Sequence, residues 1–303
     1  RQEKVTNSFG SPTLWQKIGA HCVAEGITLP TVRRVLCAGA PVPAALWTTS
    51  RTFLSHGQLH SPYGATESLP LASVSAEEMA AVRGIGACVG RPVGEITVKI
   101  IAPTDAPIAT LSEARELPPG EIGEIIATGP VVTRTYDALP EATALAKISS
   151  PAGTYHRLGD CGTLNTEGRL WFCGRKAERV ETQHGRLYTE QVEPVFNAHP
   201  NVARSALIAT GHDGRRPAIV IEPVSRDVVA TASLRRKLVR ELRELGAAHP
   251  HTDLIRLAYL HPHFPVDVRH NAKIHRLALA RWAAGHHGYE LDKREISRDV
   301  LKQ

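Results

Sequence analysis

The chain has 303 residues, 42% of them hydrophobic, which allows a substantial core and, by length, roughly two domains. Its net charge of +6 and pI near 9.2 come from dispersed basic residues, a balance that suits a polyphosphate ligand; clusters such as Arg33-Arg34, Arg215-Arg216 and Arg235-Arg236-Lys237 lack interleaved aromatics and read as solvated faces rather than a nucleic-acid surface. Five cysteines without a C-x-x-C pair, fifteen scattered histidines with no H-x-x-x-H or H-E-x-x-H expected on a helix, and the lack of a signal peptide or an apolar run near 18 residues point to a soluble, cytoplasmic protein with no disulfide framework and no integral membrane segment.

The stretch from Arg1 to Gly10 lacks an initiator methionine and reads like the middle of a domain. Pro12, followed by Leu14, Ile18 and Val23, predicts a helix. Val32 to Cys37 reads as a buried strand that delivers the small-residue loop Ala38-Gly39-Ala40-Pro41, where a flat ligand has room. A helix is expected over Ala44 to Phe53. Gln58 to His60 then leads into Ser61-Pro62-Tyr63-Gly64-Ala65-Thr66-Glu67.

That last run puts an aromatic ring, a glycine, a hydroxyl and a carboxylate within five positions. These suit a nucleotide: a face for a base, a close backbone approach, a donor to a phosphate oxygen and an anion for a magnesium ion. The same residues also fit a plain strand-to-loop turn. The glycine-rich Gly84 to Gly94 contains Gly84-Ile85-Gly86 but is no dinucleotide fingerprint, because no helix follows it. Strands are expected over Glu95 to Ile101 and Gly120 to Thr128, with Ala106 to Pro119 a surface excursion. In Tyr155-His156-Arg157-Leu158-Gly159-Asp160, a Gly-Asp at a strand end offers a carboxylate to a pair of ribose hydroxyls, although a turn aspartate reads the same way. Gly174-Arg175 follows.

Beyond Arg175 the character shifts, with a boundary near Arg175 to Glu181. Helices are expected over Tyr188 to His199 (Val192, Val195 and Phe196 inward), Ser233 to Leu245 (a stripe of Leu234, Leu238, Leu242 and Leu245) and Ala272 to Trp282. Strands are expected over Val202 to Ala209, Pro217 to Ile221 and Leu257 to Leu260, with a loop over Phe264 to Asn271. The division is residues 1–175 and a compact α+β module of residues 176–303.

Taken in order, Ala38-Gly39-Ala40-Pro41, Tyr63 to Glu67, Tyr155 to Asp160, Gly174-Arg175 and Lys273 in Arg269-His270-Asn271-Ala272-Lys273-Ile274 resemble the adenylate-forming superfamily of acyl-CoA synthetases, peptide-synthetase adenylation domains and firefly-type luciferases. Asn7-Ser8-Phe9-Gly10-Ser11-Pro12, Pro62 to Pro70 and Phe264 to Lys273 add a closer likeness to the olefin β-lactone synthetases of bacterial long-chain olefin biosynthesis. The resemblance implies an α/β fold: the C-terminal part of a large adenylate-binding domain, with mixed sheets, helices and a small β-barrel-like subdomain, then a small mobile α+β domain. It implies ATP and Mg²⁺ as cofactors. Gly39, Ala40 and Pro41 would line the adenine pocket and Tyr63 would stack on the base, with Gly64 and Ala65 also in the cofactor site; Thr66 would bind the α-phosphate, Glu67 the metal, and Asp160 with Arg175 the ribose. Lys273 would act in adenylation, with His156 or His270 as a general base.

Three departures stand out. The family's phosphate loop with its lysine is absent from this sequence, Ala177 stands at a hinge position usually Asp or Lys, and Ala272 precedes the lysine where Gly is usual. The implied reaction is ATP-dependent closure of a long-chain 2-alkyl-3-hydroxy acid to a β-lactone, in an assembly with other enzymes of the olefin pathway. The alternatives are an acyl-CoA or acyl-AMP ligase of fatty acids, and an inactive nucleotide-binding fragment.

Overall fold

Pro12 and Ser11 set the first helix. Ser11 caps it by accepting from the Leu14 N–H at 3.3 Å, and Pro12 occupies the first turn, so α1 spans Pro12–Ala24. Its buried stripe is Trp15, Gly19 and Cys22, whereas Leu14 and Val23, two of the apolar residues that mark the helix in the sequence, are exposed. The reason is Phe53: Trp15 stacks on it at 6.3 Å, and a Cβ at Gly19 would lie 2.8 Å from its ring, so the helix packs through its small residue.

A computed structural model describes residues 2–82, 84, 86–211, 213–265 and 274–291. The chain divides into two units, Arg1–Lys176 and Ala177–Gln303.

In the first unit, β1 (Asn7–Gly10), β2 (Arg34–Cys37) and β3 (Gln58–Ala65) run parallel, with α1 and α2 (Ala44–Phe53) packed against Val35, Cys37 and Leu59. β2 is buried on one face only: Arg34 and Leu36 are exposed, correcting the expectation of a fully buried strand. β4 (Ser68–Ser75) turns back antiparallel, and α3 (Ala76–Ala81) follows under a capping box of Ser75 and Glu78. Then come β5 (Ala87–Pro92), β6 (Thr97–Ile101), β7 (Gly123–Thr128), α4 (Pro140–Ala146), β8 (Lys147–Ser150), β9 (Gly153–Leu164) and β10 (Leu170–Arg175). The sheet order is β1-β2-β3-β4-β5-β10-β9-β7-β6, with β8 also on β9.

The surface excursion is only partly that. Ile108 plugs a core cluster with Ile101, Ile126, Ile148 and Tyr155. Arg157 of the His-Arg-Leu-Gly-Asp run is buried as well; its guanidinium donates to both oxygens of Glu124 at 3.1 and 2.8 Å and to the carbonyls of Thr104, Ala106 and Leu145. That network spends all its donors and pins the excursion to β9.

The second unit opens with the ribbon β11 (Val180–Thr182) and β12 (Gly185–Leu187), then α5 (Thr189–Asn197). β13 (Val202–Thr210) and β14 (Arg216–Pro223) form an antiparallel pair, followed by α6 (Asp227–Ala230) and α7 (Ala232–Ala247). β15 (Leu257–Leu260), α8 (Arg276–Ala284) and β16 (Tyr289–Glu290) close it, in sheet order β13-β14-β15-β16. Strand alternation sorts the sheet's two faces: Leu207, Ile219 and Ile221 meet Phe196, Leu238 and Leu242, while Ala206, Ile208 and Val220 meet Leu279 and Ala283. Leu234 of the expected stripe is exposed. Arg276 binds both oxygens of Glu193 at 2.8 and 2.7 Å and Glu178 at 2.9 Å, and burial with the neighbouring Glu193 pushes Glu190 up to about 7. Among the described residues no helix is long and apolar enough to cross a membrane.

Candidate functional site

The run Tyr63 to Glu67 sits at the tip of the β3–β4 hairpin. Ala65 pairs with Ser68, leaving Thr66 and Glu67 as a two-residue turn, with Thr66 exposed. The ladder slips between Tyr63 and Ala65, and a Cβ at Gly64 would lie 2.3 Å from the Ser68 carbonyl oxygen. Gly64 is therefore required by the closeness of β4. Because β2 and β3 are parallel, the loop Ala38-Gly39-Ala40-Pro41 leaves β2 at the end toward which β3 carries this turn. Gly39 has φ +93° with open space around it, so it serves the turn's conformation rather than packing.

Asp160 lies inside β9, not at a strand end as the sequence suggests. β9 carries a bulge there: Arg157 pairs with Ile126 and Cys161 with Glu124, and Gly159 between them has φ +67°. On the other side Asp160 pairs with Arg175 of β10, which donates to its Oδ1 at 2.7 Å. The Tyr63 hydroxyl donates to Oδ2 at 2.6 Å. In sheet order β3 and β9 are four strands apart, a span of roughly 19 Å on a flat sheet. The 2.6 Å bond therefore requires the sheet to curl, and the bulges in β3–β4, β9 and β10 allow it. The Tyr63 ring lies 6.0 Å from Phe172. Burial, then the Asp160 charge, pushes its phenol well above the ordinary value, which keeps it a donor.

Glu67 anchors a second cluster. The Tyr136 hydroxyl donates to its Oε1 at 2.9 Å, and its backbone carbonyl accepts from the Thr133 N–H at 2.9 Å. Lys147 donates to the Thr133 carbonyl at 2.6 Å and hydroxyl at 2.9 Å and lies 5.6 Å over the Tyr136 ring. Its cross-strand partner is His156, whose Nε2 stands 4.0 Å from Glu67 Oε2. Burial pushes the Glu67 carboxyl upward, but its own backbone N–H, Tyr136, His156 and Lys147 outweigh it and hold the pKa below the ordinary value. Burial, then Lys147, lowers His156; burial lowers Lys147; burial and Glu67 push Tyr136 up to about 12. A cleft of about 920 Å³ opens beside this cluster, lined among others by Arg134, Tyr136, Leu139 and Lys147.

A magnesium ion fits the donor set here. Glu67 Oε2 is turned to His156 without a hydrogen bond between them, and an octahedral ion needs one or two carboxylates, its waters and a polyphosphate. Among the described residues no group of three or more His, Cys, Asp and Glu could form an all-protein cage.

The structure thus brings Tyr63, Asp160 and Arg175 into one cluster, and Glu67 with His156 into another. Lys273 and His270 lie outside the described residues. Tyr136, Lys147 and Thr133 escape a reading of the sequence. Tyr136 is 69 residues from Glu67, and the available signal was a lone lysine opening the strand-forming run Lys147-Ile148.

The sequence profile of the AMP-binding enzyme family matches residues 1–137. A protein named olefin beta-lactone synthetase from Stenotrophomonas maltophilia (strain K279a) is 45% identical over 305 residues, covering 96% of this chain and 52% of the relative. The chain belongs to the AMP-binding enzyme family. It spans about half the length of the curated relatives it matches. Solved structures carry the same fold: an amide bond synthetase from Marinactinospora thermotolerans has a TM-score of 0.71 at 24% identity, covering 93% of this chain and 53% of its own. The O-succinylbenzoate coenzyme A synthetase from Bacillus subtilis, in complex with ATP and magnesium ion, has a TM-score of 0.68 at 21% identity, with 92% and 52% covered. The α/β class expected from the sequence stands.

Proposed function

We propose that the protein carrying this chain adenylates a long-chain 2-alkyl-3-hydroxy acid with MgATP and closes it to a β-lactone. The observation that carries the reading is the 45% identity to an olefin beta-lactone synthetase across 96% of the chain. The two carboxylate clusters on one curled sheet support it. Asp160 with Arg175 takes the ribose hydroxyls; Gly39, Ala40 and Pro41 line the adenine pocket and Tyr63 stacks on the base, with Gly64 and Ala65 beside them in the cofactor site; Thr66 meets the α-phosphate; Glu67 would hold the magnesium ion, which would supply charge neutralisation at the phosphates.

In the first step a carboxylate oxygen of the acid attacks the α-phosphorus and pyrophosphate leaves. Lys273 supplies positive charge where the five-coordinate phosphorus gains negative charge. In the second, the 3-hydroxyl oxygen attacks the acyl carbon, AMP leaves, and the hydroxyl proton passes to a base, for which His156 and His270 are the candidates. Nucleophile and electrophile belong to one molecule, so no second substrate has to be positioned.

The second reading is an acyl-CoA ligase, favoured by the fold shared with the coenzyme A synthetase. Incubation of full-length protein with ATP, a 2-alkyl-3-hydroxy acid and CoA separates the two: a β-lactone with AMP is expected, and a CoA thioester as the main product contradicts the proposal. The third reading, nucleotide binding without turnover, concerns these 303 residues on their own. Pyrophosphate release by this segment alone contradicts it.

A further inference from the structure

Glu67 and His156 face each other without bonding. Their separation of 4.0 Å is too long for an N–H···O bond. The other ring nitrogen decides what Nε2 is. Nδ1 lies 3.2 Å from the Ala146 carbonyl oxygen, which can only accept, so Nδ1 carries the hydrogen and Nε2 of the neutral ring is an acceptor. An acceptor thus points at a carboxylate oxygen, a second acceptor. Both side chains are fixed from behind, His156 by Ala146 and Glu67 by the Tyr136 hydroxyl at 2.9 Å. A group donating two hydrogen bonds of roughly 2.8 Å spans such a gap with an angle near that between the hydrogens of a water molecule.

We propose that His156 and Glu67 together hold one hydrated divalent cation, Glu67 from its carboxylate and His156 through a water of the ion's shell. The inference rests on reading the Glu67 end as the place that handles a magnesium nucleotide, and adds a second residue to it. A metal-bound water suits the gap better than a substrate hydroxyl does. It brings two hydrogens made acidic by the ion, whereas a hydroxyl brings one and leaves the Glu67 charge uncompensated. Magnesium keeps several of its waters, so an imidazole reaching it through one of them is compatible with its octahedral shell. This assignment gives His156 to the ion and leaves His270 as the remaining candidate for the base.

Two variants at one position test it. In His156→Asn the amide stands where Nδ1 stood and can keep the bond to Ala146, with nothing at Nε2. In His156→Gln the amide reaches the Nε2 position and its oxygen can accept. Mn²⁺ serves as the probe, titrated by electron paramagnetic resonance into full-length protein saturated with α,β-methylene ATP; nucleotide affinity without metal is measured by calorimetry in chelator. The expected result is Mn²⁺ affinity weakened roughly 10- to 100-fold in His156→Asn, partly recovered in His156→Gln, with metal-free nucleotide affinity equal in all three. Unchanged Mn²⁺ affinity in His156→Asn overturns the proposal, as does an equal fall in metal-free nucleotide affinity. Wild-type protein that binds the nucleotide but no Mn²⁺ overturns the cation site alone. Wild-type protein that binds no nucleotide overturns the nucleotide reading as well.

Discussion

Asp160 and His156 stand four residues apart on one strand, and the two ends of the site they mark are built differently. At the Asp160 end both carboxylate oxygens are engaged, one by Tyr63 at 2.6 Å and one by Arg175 at 2.7 Å. At the Glu67 end one oxygen is held by Tyr136 and the other faces an imidazole nitrogen across 4.0 Å. An engaged carboxylate binds a ligand through its remaining lone pairs and by exchanging partners, which suits neutral hydroxyls. A carboxylate with an unspent oxygen suits a cation. On this difference we propose the sugar for the first end and the ion for the second.

The largest expected effect comes from a group outside the described residues. Lys273→Ala is expected to lower acyl-adenylate formation by roughly 100-fold or more while ATP binding by calorimetry stays near wild type. Near-wild-type adenylate formation removes Lys273 from the chemistry and leaves the two carboxylate clusters to account for it. Next is Asp160→Ala, expected to weaken ATP binding by about 1.5–3 kcal/mol, the value of charge-assisted bonds; an unchanged affinity takes Asp160 out of the site and ends the comparison.

Tyr136→Phe sharpens the Glu67 end. The hydroxyl helps hold the Glu67 pKa below the ordinary value, so the carboxylate stays ionised, and able to hold a cation, until the pH falls through that lowered pKa. Without the hydroxyl the pKa is expected to rise, readable by NMR of the labelled carboxyl, so cation binding is lost at a higher pH on acidification. Mn²⁺ affinity at neutral pH is expected to fall by up to about tenfold. A Glu67 pKa that does not move contradicts the account. The smallest effect is that of Tyr63→Phe: about 1 kcal/mol of stability to denaturant, with little change in ATP affinity because Arg175 still holds Asp160.

Much of this arrangement was legible in the sequence where the residues are neighbours in the chain. Tyr63 to Glu67 fall in one hairpin tip, and the small-residue loop after β2 announces itself by composition. What needed the structure was sheet curvature. Nothing in the sequence says that β3 reaches β9 across the three strands between them, that Gly159 turns a strand interior into a bulge, or that Tyr136 and Lys147 close around Glu67. Helix faces failed for a different reason. In α1 the sequence showed a helix but no face: Leu14 and Val23 are exposed, and Gly19 is the residue that lets the helix approach Phe53. In α7 Leu238 and Leu242 are buried but Leu234 is exposed, because the stripe outruns the core it faces.

The division of labour between the two carboxylates is tested most directly by one crossed measurement on the full-length protein. ATP affinity is determined by calorimetry with chelator and again with Mg²⁺, for wild type, Asp160→Asn and Glu67→Gln. The account predicts that Asp160→Asn lowers affinity in both conditions and keeps the gain from Mg²⁺, while Glu67→Gln leaves the metal-free affinity intact and loses that gain. Equal losses in both variants under both conditions would contradict it.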